Sequence, residues 1–144
     1  MAKTIERTAL VEFTPAQMFD LVNDIEAYPQ FMDGCVGSEI LIKNDEVIEA
    51  RLDLKKGKFS QSFVTRNSLE KNRCVNMQLV DGPFKQLDGQ WNFEPLGDSG
   101  CKISLSLTFE FKSKLVALAA GSWFESVGNQ LVDAVCLQAK KRYG

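Results

Sequence analysis

Residues 113–143, SKLVALAAGSWFESVGNQLVDAVCLQAKKRY, have the apolar spacing of one long amphipathic helix. Apolar side chains recur every three or four residues, which is the period of a helix with one buried face. The line consists of Val116, Ala120, Trp123, Val127, Leu131, Ala134 and Gln138, and it is widened into an apolar stripe by Ala119, Phe124, Val135 and Cys136. A helix of about 27 residues is ~40 Å long at about 1.5 Å per residue, so it needs a wide partner to cover this face. The preceding strands are the candidate partner, and the function then depends on what lies between helix and strands.

The composition is that of an ordinary globular protein. The chain has 144 residues, of which 44% are hydrophobic and 25% charged, and these values predict one domain over residues 1–144. The net charge of −2 gives no overall attraction to phosphate, so DNA is not an expected partner and any contact with RNA has to be local. The first residues lack an apolar signal core, and the longest apolar run, residues 115–120, is too short to cross a bilayer. We therefore expect a cytoplasmic protein without transmembrane insertion.

The sequence contains no histidine. Without it there is no Ser/His/Asp or Cys/His nucleophile pair and no histidine-held metal ion. The four cysteines, Cys35, Cys74, Cys101 and Cys136, are far apart and form no C-x-x-C pair, so we expect reduced structural thiols and no metal site. Catalysis by carboxylates, lysines or tyrosines would need such groups to converge, and no motif brings them together. We expect no enzyme activity and no required cofactor.

The first third of the chain predicts a strand and then a short helix. Residues 5–13 alternate between two faces and are rich in β-branched side chains, which favours a strand. Thr14, Pro15 and Gln17 are the residue types expected at the N-cap, the first position and the third position of a helix. The pattern thus predicts a capping box at Thr14.

A second short turn of helix is predicted to end at Tyr28. The reason is Pro29, because a proline disfavours helical geometry in the residue before it. The two short helices would then close one end of a curved sheet.

From Cys35 onward the pattern changes to period two, and turn residues recur about every ten positions. The predicted strands cover 38–42, 48–54, 59–65, 74–80, 86–93 and 103–111, with turns at 43–45, 55–58, 67–68, 81–83 and 97–100. In the last strand alternate residues are apolar and those between them polar, as in a strand with one dry face. The order predicts an α+β fold, with a curved seven-stranded antiparallel sheet around the C-terminal helix and two short helices between strands 1 and 2.

Two short motifs carry a family resemblance. Residues 20–31 read DLVNDIEAYPQF, and residues 81–93 read DGPFKQLDGQWNF. Their Tyr-Pro-x-Phe, Gly-Pro-Phe and Gly-x-Trp elements resemble those of the START-like family, whose helix-grip fold has the element order predicted above. That family holds the coenzyme Q-binding proteins, the bacterial RatA proteins and, more distantly, polyketide cyclases. The likeness extends from Ile5 to Tyr143.

The resemblance implies two functions. In the first, a cavity between the sheet and the C-terminal helix binds ubiquinone, or another isoprenoid lipid, in support of respiration, with transient membrane contact. In the alternative, the protein is a RatA-type toxin that binds the large ribosomal subunit and blocks subunit association. A cyclase-type enzyme is the least favoured implication, because fold alone is a poor guide to activity. We take ligand binding as the first hypothesis.

The side chains predicted to face the helix are the candidate cavity wall. They are Phe59, Gln61, Phe63, Met77, Leu79, Trp91, Phe93, Leu105, Phe109, Trp123, Val127 and Leu131. Periodicity does not distinguish a filled core from a cavity wall, and it is the resemblance that favours the cavity. If Gln61 points inward, it is the candidate hydrogen-bond partner of a quinone carbonyl, because a buried amide needs a partner.

Two further sets of residues are candidate contact sites. The family motifs suggest a ligand mouth formed by Tyr28, Pro29, Phe31, Gly82, Pro83 and Phe84, although the same residue types also suit a helix end, a tight turn and aromatic packing. Lys55, Lys56 and Lys58 lie at a predicted hairpin tip. Three lysines at a tip can reach RNA phosphates, although solvation alone also explains them, so this tip is the candidate ribosome contact.

Overall fold

Seven antiparallel strands form one curved sheet, and a long helix covers its inner side in this computed structural model, which describes residues 2–144. In chain order the elements are β1 (Lys3–Val11), α1 (Pro15–Val22), a 3₁₀ turn (Ile25–Ala27), α2 (Tyr28–Phe31), β2 (Cys35–Lys43), β3 (Val47–Lys56), β4 (Phe59–Glu70), β5 (Cys74–Asp81), β6 (Phe84–Leu96), β7 (Gly100–Phe111) and α3 (Lys114–Tyr143). The strand order is β1-β7-β6-β5-β4-β3-β2. The predicted α+β class, strand number and long C-terminal helix are confirmed.

The start of α1 is held by the predicted capping box. The backbone nitrogen of Thr14 donates to Gln17 Oε1 at 2.9 Å, and the backbone nitrogen of Gln17 donates to Thr14 Oγ1 at 3.1 Å. Pro15 occupies the first turn, where its missing N–H leaves no helical bond unmade. These three residues therefore define the entry into α1 by local interactions alone.

The prediction that Pro29 ends a helix is wrong. The chain continues from the 3₁₀ turn into α2, and Pro29 lies in the first turn of this helix. A proline is tolerated there because the first N–H groups of a helix have no partner within it. Pro29 therefore opens α2 instead of closing the element before it.

The predicted turn at residues 67–68 is also wrong, because β4 continues to Glu70. Asn67 pairs with Ile48 on β3 and with Met77 on β5, so it lies in the middle of the sheet. Pairing with two neighbouring strands outweighs the weak local preference of an Asn-Ser pair for a turn. The chain instead reverses after β4 around Asn72, which adopts a φ of 60°.

The buried side chains form one contiguous core between the sheet and the helices. On β7 the alternation predicted from the sequence is confirmed, since Ile103, Leu105, Leu107, Phe109 and Phe111 are all buried. Each of these residues faces α3 or the short helices, while the residues between them lie on the other face of the sheet.

The buried line of α3 is rotated from the predicted stripe. It consists of Ala120, Phe124, Val127, Gly128, Val132, Val135 and Ala139. Trp123 lies on its flank, and Ala119 is exposed. The cause is a close approach at Gly128, where an added Cβ would lie 2.7 Å from Ile5 Cδ1. A small residue is therefore needed at this crossing point, whereas larger buried residues such as Phe124 pack on the sheet further along the helix.

Although α3 has 30 residues, neither it nor any other helix of residues 2–144 has a stretch apolar enough to span a membrane.

Candidate functional site

A small cavity lies between the sheet and α3. Its volume is about 80 Å³, and its wall combines side chains of the strands, α3 and residues 25–32. An engineered protein cavity of about 150 Å³ admits one benzene ring. The cavity as it stands is thus about half the size of one that is known to admit a six-membered ring.

Two polar residues of β4 line this otherwise apolar cavity. Asn67 is 5% exposed and is the one buried polar side chain found among residues 2–144. The hydroxyl of Thr65 donates to Asn67 Oδ1 at 3.0 Å. Buried polar groups usually have hydrogen-bond partners. The amide of Asn67 is therefore the group of the cavity wall that is most suited to bind a polar atom of a ligand.

Tyr28 also lines the cavity, but its hydroxyl is already engaged. It donates to the carbonyl oxygen of Val22. Burial, with smaller contributions from nearby Cys35 and Asp24, raises the pKa of Tyr28 far above its usual range. The phenol therefore stays neutral and ties α2 to the end of α1.

A cluster of phenylalanines closes the cavity at one end of the sheet. Phe124 of α3 lies 4.8 Å from Phe109 and 5.1 Å from Phe84, measured between ring centroids. Phe84 in turn stacks on Phe111 at 4.8 Å and meets Phe63 edge to face at 5.6 Å. Access from this end is blocked by the packed rings.

An external groove of about 370 Å³ lies between α2 and α3. Met32, Val127 and Leu131 line both this groove and the internal cavity. Phe31 from α2 and the 57% exposed Leu137 from α3 extend its apolar surface. The cavity and the groove are therefore separated by a partition one side chain thick.

Only some of the residues predicted to form the cavity wall line the cavity in the structure. Phe63, Met77, Trp91, Val127 and Leu131 line the cavity. Phe59, Gln61, Leu79, Phe93, Leu105, Phe109 and Trp123 are outside its lining. A ligand contact by any of these residues stays a prediction.

Gln61 lies on β4 outside the lining of the cavity. Its backbone pairs with Leu54 near the β3–β4 hairpin tip, six residues from Asn67. Asn67 is the polar residue that sequence reasoning missed, because Asn67-Ser68 has the character of a turn. The available signal was the spacing, since Phe63, Thr65 and Asn67 share one face of a strand.

The six predicted mouth residues fall into two separate places. Tyr28 lines the cavity and Phe31 lines the groove, whereas Pro29 is exposed on α2. Gly82, Pro83 and Phe84 lie at the end that the phenylalanines close. An added Cβ at Gly82 would lie 2.6 Å from Phe63 Cβ, and Phe84 is 2% exposed. Close packing thus accounts for the glycine and the phenylalanine of the second motif.

The same end of the sheet carries an unexpected concentration of lysines. Lys3, Lys85, Lys112 and Lys114 line a surface groove of about 260 Å³ beside the start of α3. The β3–β4 tip, with Lys55, Lys56 and Lys58, projects from this end as well, because β1, β4 and β6 begin there and β3, β5 and β7 end there. We call these seven residues the basic end, and all are exposed.

The first turns of α3 form an apolar ridge within the basic end. Leu115 is 78% exposed and Leu118 is 85% exposed, on the side of the helix that faces away from the core. On one flank Trp123 contacts Phe59 at 5.4 Å and so holds the β3–β4 tip beside the helix. On the other flank lies the groove with Lys85, Lys112 and Lys114.

The opposite end of the molecule carries charges of both signs. A surface groove there is lined by Asp20, Asp24, Glu26 and Asp45, together with Lys43, Lys71 and Arg142. Arg142 pairs with Asp24 across it, with 2.9 Å between Nη2 and Oδ2. The lysines of the basic end are therefore concentrated in a way that the charges of this groove are not.

The four cysteines are free thiols. Burial raises the pKa of the thiols of Cys35, Cys74, Cys101 and Cys136, which disfavours the reactive thiolate form. Within residues 2–144, no three side chains of His, Cys, Asp or Glu come together in a way that could hold a metal ion.

Comparison with known proteins places these features in a family. The family described as polyketide cyclase / dehydrase and lipid transport matches residues 11–136. The ribosome association toxin RatA of Escherichia coli K12 is 45% identical over 139 residues, which cover 96% of this chain and 88% of that protein. The mitochondrial coenzyme Q-binding protein COQ10 homolog B of Xenopus laevis is 31% identical over 150 residues, which cover 99% of this chain and 61% of that protein.

The fold is shared with an enzyme of distant sequence. The crystal structure of the Zhui aromatase/cyclase from Streptomyces sp. R1128 has a TM-score of 0.83 and 19% identity, with 100% of this chain and 97% of that chain covered. At this identity the likeness concerns the fold alone. The family match over most of the sequence and the sheet wrapped around α3 agree, and the chain belongs to the START-like family of polyketide cyclases, dehydrases and lipid-transport proteins.

Proposed function

We propose that this protein binds the large ribosomal subunit in the cytoplasm, as a regulator of RatA type, and that the basic end makes the contact. The observation that supports the ribosomal partner is the 45% identity, over 96% of the chain, to a protein named ribosome association toxin. On the sequence alone, ligand binding is the first hypothesis and ribosome binding the alternative, and we now prefer ribosome binding. It is a binding function, and no catalytic step is proposed.

The geometry of the basic end suits a surface of phosphates. Seven exposed lysines lie at one end of a molecule whose net charge is −2, so this end would lead as the protein approaches RNA. Each lysine–phosphate contact adds about −0.7 to −0.9 to the slope of log affinity against log salt. Contact by all seven would weaken binding by about 10³–10⁴ between about 50 and 200 mM salt.

The ridge of Leu115 and Leu118 adds a feature that a simple charge patch lacks. Exposed leucines on one helix turn are a common sign of a contact surface, since they gain free energy when covered. Their position between two sets of lysines suits a mixed surface of RNA and protein, of the kind that a ribosomal subunit offers.

Co-sedimentation with purified large subunits at several salt concentrations tests the proposal. The first variant carries Lys55→Glu, Lys56→Glu and Lys58→Glu, and the second carries Lys85→Glu, Lys112→Glu and Lys114→Glu. Lys3 is left unchanged because it pairs with Glu125 at 2.8 Å. We expect each triple variant to bind at least tenfold more weakly, with a salt slope shallower by about 2–3.

The matched control changes three lysines at the other end. Lys71→Glu, Lys140→Glu and Lys141→Glu alter the net charge by the same amount but lie away from the basic end. We expect this variant to bind like the parent protein. Equal weakening by all three variants would mean that net charge matters and position does not, and unchanged binding by the first two would refute the contact.

The second candidate function is binding of a neutral apolar ligand, such as ubiquinone or another isoprenoid lipid, with transient membrane contact for its exchange. The cavity and its Asn67–Thr65 pair favour it, and so does the 31% identity to a coenzyme Q-binding protein. The volume of about 80 Å³ counts against a bound quinone in this closed form. Native mass spectrometry of the protein from its own cells, with organic extraction, tests for such a ligand. A stoichiometric quinone or isoprenoid is expected, and an empty protein would contradict this function.

A further inference from the structure

We propose that the α2–α3 groove is the entrance to the internal cavity, that Met32 is its gate, and that Asn67 binds a carbonyl oxygen of the ligand. The ligand would be a neutral molecule with an apolar chain and a ring that carries such an oxygen. The proposal rests on the second candidate function, since it specifies how that ligand enters and what recognises it.

The size of the cavity requires a moving wall. At about 80 Å³ the cavity is smaller than the about 150 Å³ that admits a benzene ring. The groove of about 370 Å³ lies on the other side of the partition. Once the partition opens, the joined space falls in the range of ~300–1,000 Å³ that is typical of small-molecule sites.

The partition is the wall that moves with least loss of structure. The sheet side of the cavity is held by strand pairing on both sides, and the far end is closed by packed phenylalanines. Val127 and Leu131 belong to the long helix α3. Met32 follows a one-turn helix and has an unbranched side chain with three torsions, which can change rotamer without breaking a hydrogen bond.

The backbone at Met32 is anchored, so the side chain moves and the segment need not. Its nitrogen donates to the carbonyl oxygen of Tyr28 at 2.8 Å, and its own carbonyl accepts from the nitrogen of Cys35 at 3.1 Å. The hydroxyl of Tyr28 holds the start of α2 to Val22. The gate is thus the side chain of Met32 alone, and its backbone stays in place.

Asn67 supplies the recognition. Its Oδ1 is occupied by the Thr65 hydroxyl, which fixes the orientation of the amide. The hydrogen bonds of the described residues include none from its amide nitrogen, although the side chain is 95% removed from solvent. This N–H₂ group therefore remains free to donate, and a ligand oxygen in the cavity would provide an acceptor.

The rest of the lining restricts the ligand class. No lysine or arginine lines the cavity, so nothing there would compensate a carboxylate or a phosphate. The ring would pack among Phe63, Met77 and Trp91. The chain would leave past Met32 along Phe31 and Leu137 in the groove.

Two probes separate recognition of the oxygen from apolar burial. The first is decylubiquinone, whose fully substituted ring offers no free carbon to the cysteine thiols. The second is decylbenzene, which has the same chain and no carbonyl. Affinity for decylubiquinone is measured by quenching of Trp91 in a Trp123→Phe background, where it is the one tryptophan left, and affinity for decylbenzene by competition.

We expect Asn67→Leu to weaken decylubiquinone about tenfold and decylbenzene less than threefold. Thr65→Val, which removes the hydroxyl that orients the amide, should act in the same direction and serves if Asn67→Leu does not fold. In stopped-flow mixing, Met32→Ala should speed association and dissociation of decylubiquinone about tenfold each, with little change in affinity. The control Leu118→Ala, on the exposed ridge, should change none of these values.

The outcomes distinguish the levels of the proposal. If decylubiquinone binds the parent but Asn67→Leu and Thr65→Val bind it equally well, the role of Asn67 is refuted while the ligand-binding function stands. Unchanged rates in Met32→Ala refute the gate. If neither probe binds the parent protein, the ligand-binding function fails and this proposal fails with it.

Discussion

The two interior glycines of α3 offer a sharp test of how closely the helix lies on the sheet. Replacing glycine by alanine in a helix interior stabilises it by about 1 kcal/mol. At Gly121 an added Cβ meets nothing within 4 Å, so the full gain is expected. At Gly128 the Cβ would lie 2.7 Å from Ile5 Cδ1 and 3.5 Å from Leu107 Cδ2. Ile5 is 4% exposed, so its Cδ1 has little space to move into, and crowding in a packed core costs about 1–3 kcal/mol, which cancels or exceeds the helical gain.

We therefore expect Gly121→Ala to raise the free energy of unfolding by about 1 kcal/mol and Gly128→Ala to lower it by up to about 2 kcal/mol. For a domain of this size 1 kcal/mol corresponds to about 3–4 °C in Tm. Urea unfolding of the two variants and the parent measures the difference. Equal stabilisation by both alanines would refute the close approach of α3 to β1 and β7, and with it the reason why the buried stripe is rotated from the predicted one.

Two further predictions concern the residues of the family motifs. Because burial raises the pKa of Tyr28, the unfolded chain loses this proton first, so the contribution of Tyr28 to folding stability is constant below about pH 10 and falls above it. Tyr28→Phe should reduce this loss of stability at alkaline pH, and at pH 7 it should lower the free energy of unfolding by about 1 kcal/mol, because the hydrogen bond to Val22 is missing. Urea unfolding at pH 7 and above pH 10 measures both effects. An unchanged loss of stability at alkaline pH would show that Tyr28 is not its cause. Phe84→Ala should lower the free energy of unfolding by about 3–5 kcal/mol, because Phe84 is 2% exposed and contacts three other phenylalanines. A well-folded Phe84→Ala protein that had lost ligand binding would instead support the mouth suggested by the motif.

Features that depend on neighbours in the sequence were predictable. The capping box at Thr14 needs residues three apart, and the alternation of β7 needs the pleat of one strand. The extent of α3 followed from a helical period that held over residues 113–143. In each case the physical cause acts over a few residues, so the sequence displays it directly.

Features that depend on partners across the fold were misread or missed. Asn67 has the local character of a turn residue, yet strand pairing with Ile48 and Met77 makes it the polar point of the cavity. The predicted Lys55–Lys58 tip is one part of a larger surface. Lys3, Lys85 and Lys114 come from three elements and Lys112 from the loop before α3, and it is the strand order that assembles them.

The sequence by itself determined the class of the fold, because hydrophobic period and capping are local and the family motifs are short. Tertiary structure decided what the interior can hold. The volume between the sheet and α3 depends on how closely Gly128 lets the helix approach and on which side chains fill the gap. Neither is encoded in a periodicity, since the same alternating pattern produces a filled core or an open cavity according to packing across elements far apart in the chain.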